Sequence, residues 1–233
     1  SIGSGQPSCN GTKLSSLLVP LAPVNEIIRI VNKLNQLTPT IERLCSCKQE
    51  ITILSNNLKK KILSYFFDNE SSDKSYYEKE YKLGDVLEYV QPTNYIVSST
   101  DYSNKFKIPV LTAGKSFILG YTNELNGVYH LNNGEKVIIF DDFTTSIHLV
   151  DFDFKVKSSA MKILKISNNN LFNIEYIYFL LQSLQIDSTN HKRYWIQKYA
   201  PLNVKIPNLD KQENILRNIK IIYDKLSILG LSE

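Results

Sequence analysis

After Glu26 the apolar residues Ile27, Ile30, Leu34, Leu37, Ile41, Leu44, Ile51, Leu58 and Ile62 fall at alternating steps of three and four, with Lys48 and Ser55 in two slots of the same seam. Spacing of this kind, kept for about five heptads, makes a long helix with one apolar stripe and excludes a strand, whose side chains alternate with period two. Pro39 interrupts the seam. Thr38-Pro39 reads as an N-cap followed by proline at the first helical position, so a kink or a restart is expected near residue 39. From Thr40 to Phe67 an unbroken helix would be about 42 Å long. A second, shorter seam runs through Ile215, Ile219, Ile222, Leu226 and Leu229, with Gly230 as a stop. Neither helix can bury its stripe alone. The two should pack as an antiparallel coiled coil, on another copy, or both.

The approaches to the two helices repeat one another. Leu17-Leu18-Val19-Pro20 is followed by Glu26 and Ile28, and Asn203-Val204-Lys205-Ile206-Pro207 is followed by Glu213 and Ile215 at the same spacing. Each copy is a short apolar strand, a proline break and a helix opening on an acid, which suits the positive end of the helix dipole. Between the helices the chain changes character. Residues 68–79 are polar and aperiodic, a linker. From Tyr81 to Pro207 it is rich in Tyr, Phe, Val, Ile and Thr, with turn residues at Gly84, Asn104, Gly114, Gly120, Gly127 and Asn132-Asn133-Gly134. Val137–Phe140 and Lys162–Ile166 read as strands, and Leu171 to Leu184 carries a helical pattern. The expected fold is α+β: a globular domain over residues 80–209 with a mixed sheet and helices, a long helix over 26–67 and a second over 210–233.

Composition limits the function. The chain has 27 Lys+Arg against 23 Asp+Glu, a net charge of +4 that permits a nucleic-acid partner without requiring one. No apolar run approaches the ~18 residues needed to span a bilayer, and a basic-then-apolar leader is missing from the first residues. Three cysteines, Cys9, Cys45 and Cys47, cannot all pair within one chain and read as reduced thiols, which points to the cytoplasm. Catalytic motifs are scarce. Gly114-Lys115-Ser116 resembles the end of a phosphate-binding loop, but that loop needs a glycine where this chain has Pro109. Cys45 and Cys47 sit two apart on a helix and point in different directions, and the histidines His130, His148 and His191 stand in no metal or nucleophile motif. Asp141-Asp142 is better placed in a turn than as an acidic pair, because adjacent strand residues face opposite sides. No catalytic residue, metal site or cofactor is expected.

Three segments have the chemistry of recognition. Ala113 to Asn123 brackets Lys115, Ser116, Tyr121, Thr122 and Asn123 between glycines, residues that reach phosphates and base edges; it could equally be a hairpin whose Phe117 and Leu119 fill the core. Phe140 to His148 carries two acids and Thr144-Thr145-Ser146. His191-Lys192-Arg193-Tyr194-Trp195 is dense in cations and aromatics, although Trp195 could instead anchor a core. Lys59-Lys60-Lys61 lies on the outer face of the long helix and reads as a solvated run, which could also touch a phosphate backbone.

These stretches also carry a resemblance. The chain resembles the specificity (S) subunit of type I restriction-modification systems in Ile206-Pro207 leading to Gln212-Glu213-Asn214-Ile215, in Leu111-Thr112-Ala113-Gly114-Lys115 with Gly120-Tyr121-Thr122-Asn123, and in His191 to Trp195. Pro20 to Glu26 looks like the family's opening to its first conserved helix, with Ile27 where a Gln is usual. Full-length members carry two target recognition domains separated by two conserved helices, and only one such domain is complete here. Residues 1–25 then read as the tail of a preceding recognition domain, and the chain as a half-length form, natural or beginning inside the gene.

The resemblance implies a non-catalytic subunit that reads a half-site on double-stranded DNA. It implies partners too: modification (methyltransferase) subunits, with or without a restriction subunit, and a second copy joined through the helices. The expected DNA contacts are Lys115, Ser116, Tyr121, Thr122, Asn123, Thr144, Thr145, Lys192 and Arg193. The competing reading is a coiled-coil scaffold or assembly protein whose partners are proteins rather than DNA.

Overall fold

The structure, a computed structural model, describes residues 15, 21–67, 79–112, 116–184, 186 and 193–231. The expected tail remnant at 1–25 and linker at 68–79 lie almost wholly outside them. The chain divides into two compact units, residues 1–53 and 54–233.

Helix α1 spans Val24–Phe67, 44 residues, with Pro39 in its interior. The expected restart at Pro39 does not occur. Thr38 is not an N-cap; its hydroxyl donates to the Leu34 carbonyl, one turn back, at 2.9 Å. Proline removes a single backbone donor, and the periodic residues on both sides continue the helix across that gap. In the first unit the predicted stripe is solvent-exposed: Leu34 is 55% exposed, Ile41 56% and Leu44 64%. Burial begins in the second unit, where Leu63 joins the core and the Ser55 hydroxyl donates to the Leu231 carbonyl.

The remaining elements are β1 (Lys79–Lys82), the single turn α2 (Leu83–Val86), β2 (Leu87–Val90), β3 (Ile108–Leu111), β4 (Ile118–Thr122), β5 (Val137–Asp141), β6 (Ile147–Val150), β7 (Lys155–Val156), β8 (Met161–Ile166), α3 (Ile174–Ser183), β9 (Asn203–Ile206) and α4 (Leu209–Ile228). They build an α+β domain. One sheet runs β2-β8-β5-β6, all antiparallel; a second runs β4-β3-β7, antiparallel and then parallel. Strand β5 (Val137-Ile138-Ile139-Phe140-Asp141) is buried at every position because both faces of the four-stranded sheet are covered. Ile138, Phe140 and Leu164 pack with α3 and α4 on one side, while Val137, Ile139 and Ile163 pack toward β3 and β7 on the other. This is the period-two alternation of a strand with a separate core on each face.

A third, two-stranded sheet pairs β1 with β9, Lys79 opposite Ile206 and Tyr81 opposite Val204. The start and finish of the domain thus lie side by side. Helix α4 begins two residues past Pro207, capped by Asn208, whose side chain accepts the Lys211 N–H at 3.0 Å. The predicted stop is present: Gly230 takes φ +71°, and the Leu231 N–H returns to the Leu226 carbonyl at 2.9 Å. The α4 stripe does not wait for a coiled-coil partner. Ile215, Leu216, Ile219 and Leu226 are buried, with Ile215 and Ile219 in the domain's own core.

Helix α3 is tied to α4 by charge. Glu175, 15% exposed, is bridged by Lys136 and by Lys220. Burial by itself would raise the Glu175 carboxyl, but the hydrogen bonds and charges of the two lysines outweigh it and hold the pKa below the usual glutamate range. A folded-state pKa below the unfolded one contributes stability that is complete above about pH 4.3 and is lost as pH falls through the depressed value. Urea melts from pH 6 down to pH 2.5 should therefore show the wild-type chain losing stability below about pH 4.3, and Glu175→Gln removing part of that slope. An unchanged slope in the variant would show that this cluster carries no linkage.

Candidate nucleic-acid interface

The three predicted segments divide in a way their order in the chain does not suggest. Strand β4 carries the first. Ser116 is exposed at its start, where the Phe117 ring stacks on His148 at 3.9 Å between centroids and 15° between planes. Burial lowers the His148 pKa, so the ring in this stack is neutral at pH 7. Phe117 packs against a core, as the hairpin reading expected, but Leu119 does not; it is 42% exposed. At the far end of the strand Tyr121 is half-buried and Asn123 exposed. Thr122 between them is 1% exposed, and its hydroxyl accepts the Glu124 N–H at 3.2 Å. Its side chain therefore serves the fold and presents nothing to a duplex.

The second segment is the turn from β5 to β6, and its acids organise it. Asp141, 1% exposed, accepts the Phe143 and Thr144 N–H groups at 3.3 and 2.9 Å and the Thr144 hydroxyl. Thr145 sits at φ +59°, the left-handed region that a β-branched residue rarely enters; its hydroxyl donates to the Thr144 carbonyl at 2.7 Å and is also in hydrogen-bonding contact with Tyr199. Burial raises the Tyr199 pKa in spite of that bond. Both threonine hydroxyls are thus engaged inside the protein, although Thr144 itself is exposed.

Asp142 reaches the third segment. It is 4% exposed, accepts the Trp195 N–H at 2.8 Å and lies 3.6 Å from the Lys162 ammonium. Trp195 is a core anchor, 2% exposed, with Phe140 5.7 Å away between ring centroids. Trp195–Tyr199 forms one π-helical turn in which the Ala200 N–H reaches the Trp195 carbonyl at 2.8 Å. Arg193 is exposed at its start. The structure therefore brings together Ser116, the Thr144–Ser146 turn and Arg193, through Phe117–His148 on one side and Asp142–Trp195 on the other. Tyr121 and Asn123 stand apart, at the opposite end of β4. Lys115 and Lys192 lie outside the described residues.

Lys59 and Lys60 do not simply face solvent. With Thr145, Tyr178 and Tyr199 they line a groove of about 970 Å³, and Lys59 is half-buried there. The spacing alone does not show Asp142 as the link between segments, and in the loop before β3 (Tyr102 to Lys107) it shows only a turn at Asn104. Its alternation of aromatics and lysines was the available signal. Among the described residues no cluster of His, Cys, Asp and Glu could hold a metal ion, and no helix is long and apolar enough to cross a membrane.

The α+β domain presents cations and hydrogen-bonding side chains from its loops, and its fold is shared with solved structures. The fold matches the HsdS subunit from Thermoanaerobacter tengcongensis with a TM-score of 0.55 at 15% identity, over 99% of this chain and 59% of that one. It matches the type I restriction-modification S subunit from M. genitalium with a TM-score of 0.55 at 17% identity, over 90% of this chain and 57% of that one. No family model matches the chain. In sequence it is 46% identical over 152 residues to the EcoR124I/EcoR124II specificity subunit of a type I restriction enzyme from Escherichia coli, a stretch covering 63% of this chain and 37% of that protein. Over that stretch the chain is homologous to the specificity subunits of type I restriction-modification systems, and it spans well under half the length of that curated relative.

Proposed function

We propose that this chain is the DNA-reading part of a type I restriction-modification complex, without catalytic chemistry of its own, acting in the cytoplasm. The observation that carries the reading is the 46% identity over 152 residues to a type I specificity subunit. It recognises a half-site on double-stranded DNA and positions methyltransferase subunits, which supply the chemistry. Ser116, Tyr121, Asn123 and Arg193 are exposed or half-buried in positions that suit DNA contact, and Lys115 and Lys192 adjoin Ser116 and Arg193 in the chain. The exposed α1 stripe accounts for assembly: a second copy covers it, and two-fold symmetry sets two heads to read a split, symmetric target.

Two measurements test this. Affinity for a pool of random duplexes should fall as salt rises, with a log–log slope of about −0.9 for each phosphate neutralised. A slope near zero would remove DNA as the partner. Light scattering should give twice the 26.7 kDa chain mass, and Leu34→Lys with Ile41→Lys should return the monomer. A wild-type chain that stays monomeric at high concentration rules out the symmetric pair.

A further inference from the structure

The loop before β3 holds a turn built for presentation. Ser103 makes three backbone-defining bonds: its N–H donates to the Tyr121 carbonyl at 3.1 Å, its carbonyl accepts the Phe106 N–H at 3.0 Å, and its hydroxyl accepts the Lys105 N–H at 3.3 Å. The turn is therefore closed on itself and clamped to β4, and its tip, Asn104 and Lys105, is fully exposed. Tyr102 lies across the second sheet. A Cβ at Gly120 would stand 2.9 Å from the Tyr102 Cβ, so only glycine lets the ring lie there. From the far side Lys157 meets the same ring, its ammonium 3.3 Å from the Tyr102 hydroxyl and 5.7 Å from the ring centroid. Lys107, exposed, immediately precedes Ile108, the partner of Thr122, and so lies beside Asn123 at the open end of the ladder. Among the described residues no carboxylate forms an ion pair with Lys105, Lys107 or Lys157, whereas Lys155 of the neighbouring strand is buried against Glu124.

Three cations without counter-ions among the described residues, beside an exposed Asn-Lys tip, have the composition of a groove reader: an amide that pairs with adenine, an ammonium that pairs with guanine, and further charges for phosphates. We propose that the Ser103–Phe106 turn is a DNA-contacting element, its Asn104 and Lys105 meeting base edges while Lys107 and Lys157 take phosphates on either side. The inference rests on the reading of the chain as a DNA-recognition subunit and adds to it a face, near Tyr121 and Asn123, separate from the cluster around Arg193.

The test is selection of bound duplexes from a random pool by the full chain, with sequencing of the bound fraction and a salt titration. Asn104→Ala with Lys105→Ala should erase the preference at one or two positions of the selected sequence and leave the others. Lys107→Ala with Lys157→Ala should keep the preferred sequence and reduce the salt slope by about two. Thermal melts of Asn104→Ala with Lys105→Ala should match wild type, because both side chains are exposed. Lys157 is half-buried against Tyr102, so Lys107→Ala alone, which should reduce the slope by about one, separates loss of a phosphate contact from loss of that packing. If the wild-type chain selects a sequence while both double variants keep its preference and slope unchanged, the turn is not a contact element and the broader reading survives. A wild-type chain that binds no duplex overturns both.

Discussion

Gln212→Ala is expected to lower the unfolding free energy of the domain by about 3–5 kcal/mol, one of the two largest effects foreseen for a single substitution. Gln212 is completely buried at the start of α4. Its amide donates to the Leu171 carbonyl at 2.8 Å and the Pro207 carbonyl at 2.9 Å, and its side-chain oxygen accepts the Asn173 N–H at 2.8 Å. Asn173 in turn caps α3, accepting from Glu175 and Tyr176. One side chain thus ties together β9, the loop before α3 and both helices. Truncation leaves the buried Pro207 carbonyl and the part-buried Asn173 N–H and Leu171 carbonyl without this partner, each costing roughly 1–3 kcal/mol where water does not enter. At about 2–4 °C per kcal/mol for a chain of this size, the thermal midpoint should fall by on the order of 10 °C. A loss below about 1 kcal/mol in urea would mean that water replaces the amide at little cost.

The other large effect concerns the proposed recognition face. Asp142→Ala should cost about 2–4 kcal/mol, since it strands the buried Trp195 N–H and takes the counter-ion from Lys162, whose side chain is only 12% exposed and whose ammonium keeps only the Ser159 carbonyl and the Tyr89 ring. The functional consequence is separable. Trp195–Tyr199 is held against the β5–β6 turn chiefly by this carboxylate and by ring packing on Phe140, so its loss frees Arg193 to wander. Duplex affinity should fall further in Asp142→Ala than in Asp142→Asn, which keeps an acceptor for the Trp195 N–H. Equal losses in the two variants would show that charge, rather than placement of the segment, matters there.

Much of the chain was legible from spacing. The α1 stripe from Ile27 to Ile62, the α3 pattern and the Gly230 stop are local periodicities, and a helix or a strand follows from its own side chains. The recognition segments were legible as chemistry but not as places. Thr122 has a hydroxyl that could contact DNA and is buried, while Thr144 spends its hydroxyl on Asp141 and Thr145 donates its own to the Thr144 carbonyl. Nothing in a run of residues tells whether a hydroxyl is already satisfied.

The sequence by itself determined the long helix, the strand-rich stretch and the terminal seam, because each rests on residues at most four positions apart. Tertiary structure alone decided where those parts go. It paired β1 with β9 across more than a hundred residues, sank Ile215 and Ile219 of the α4 stripe into the domain core while leaving Leu229 exposed like the α1 stripe, joined Asp142 to Trp195, and laid Tyr102 over Gly120. Such choices compare the burial and hydrogen bonding of distant segments, and those energies exist only once the segments meet.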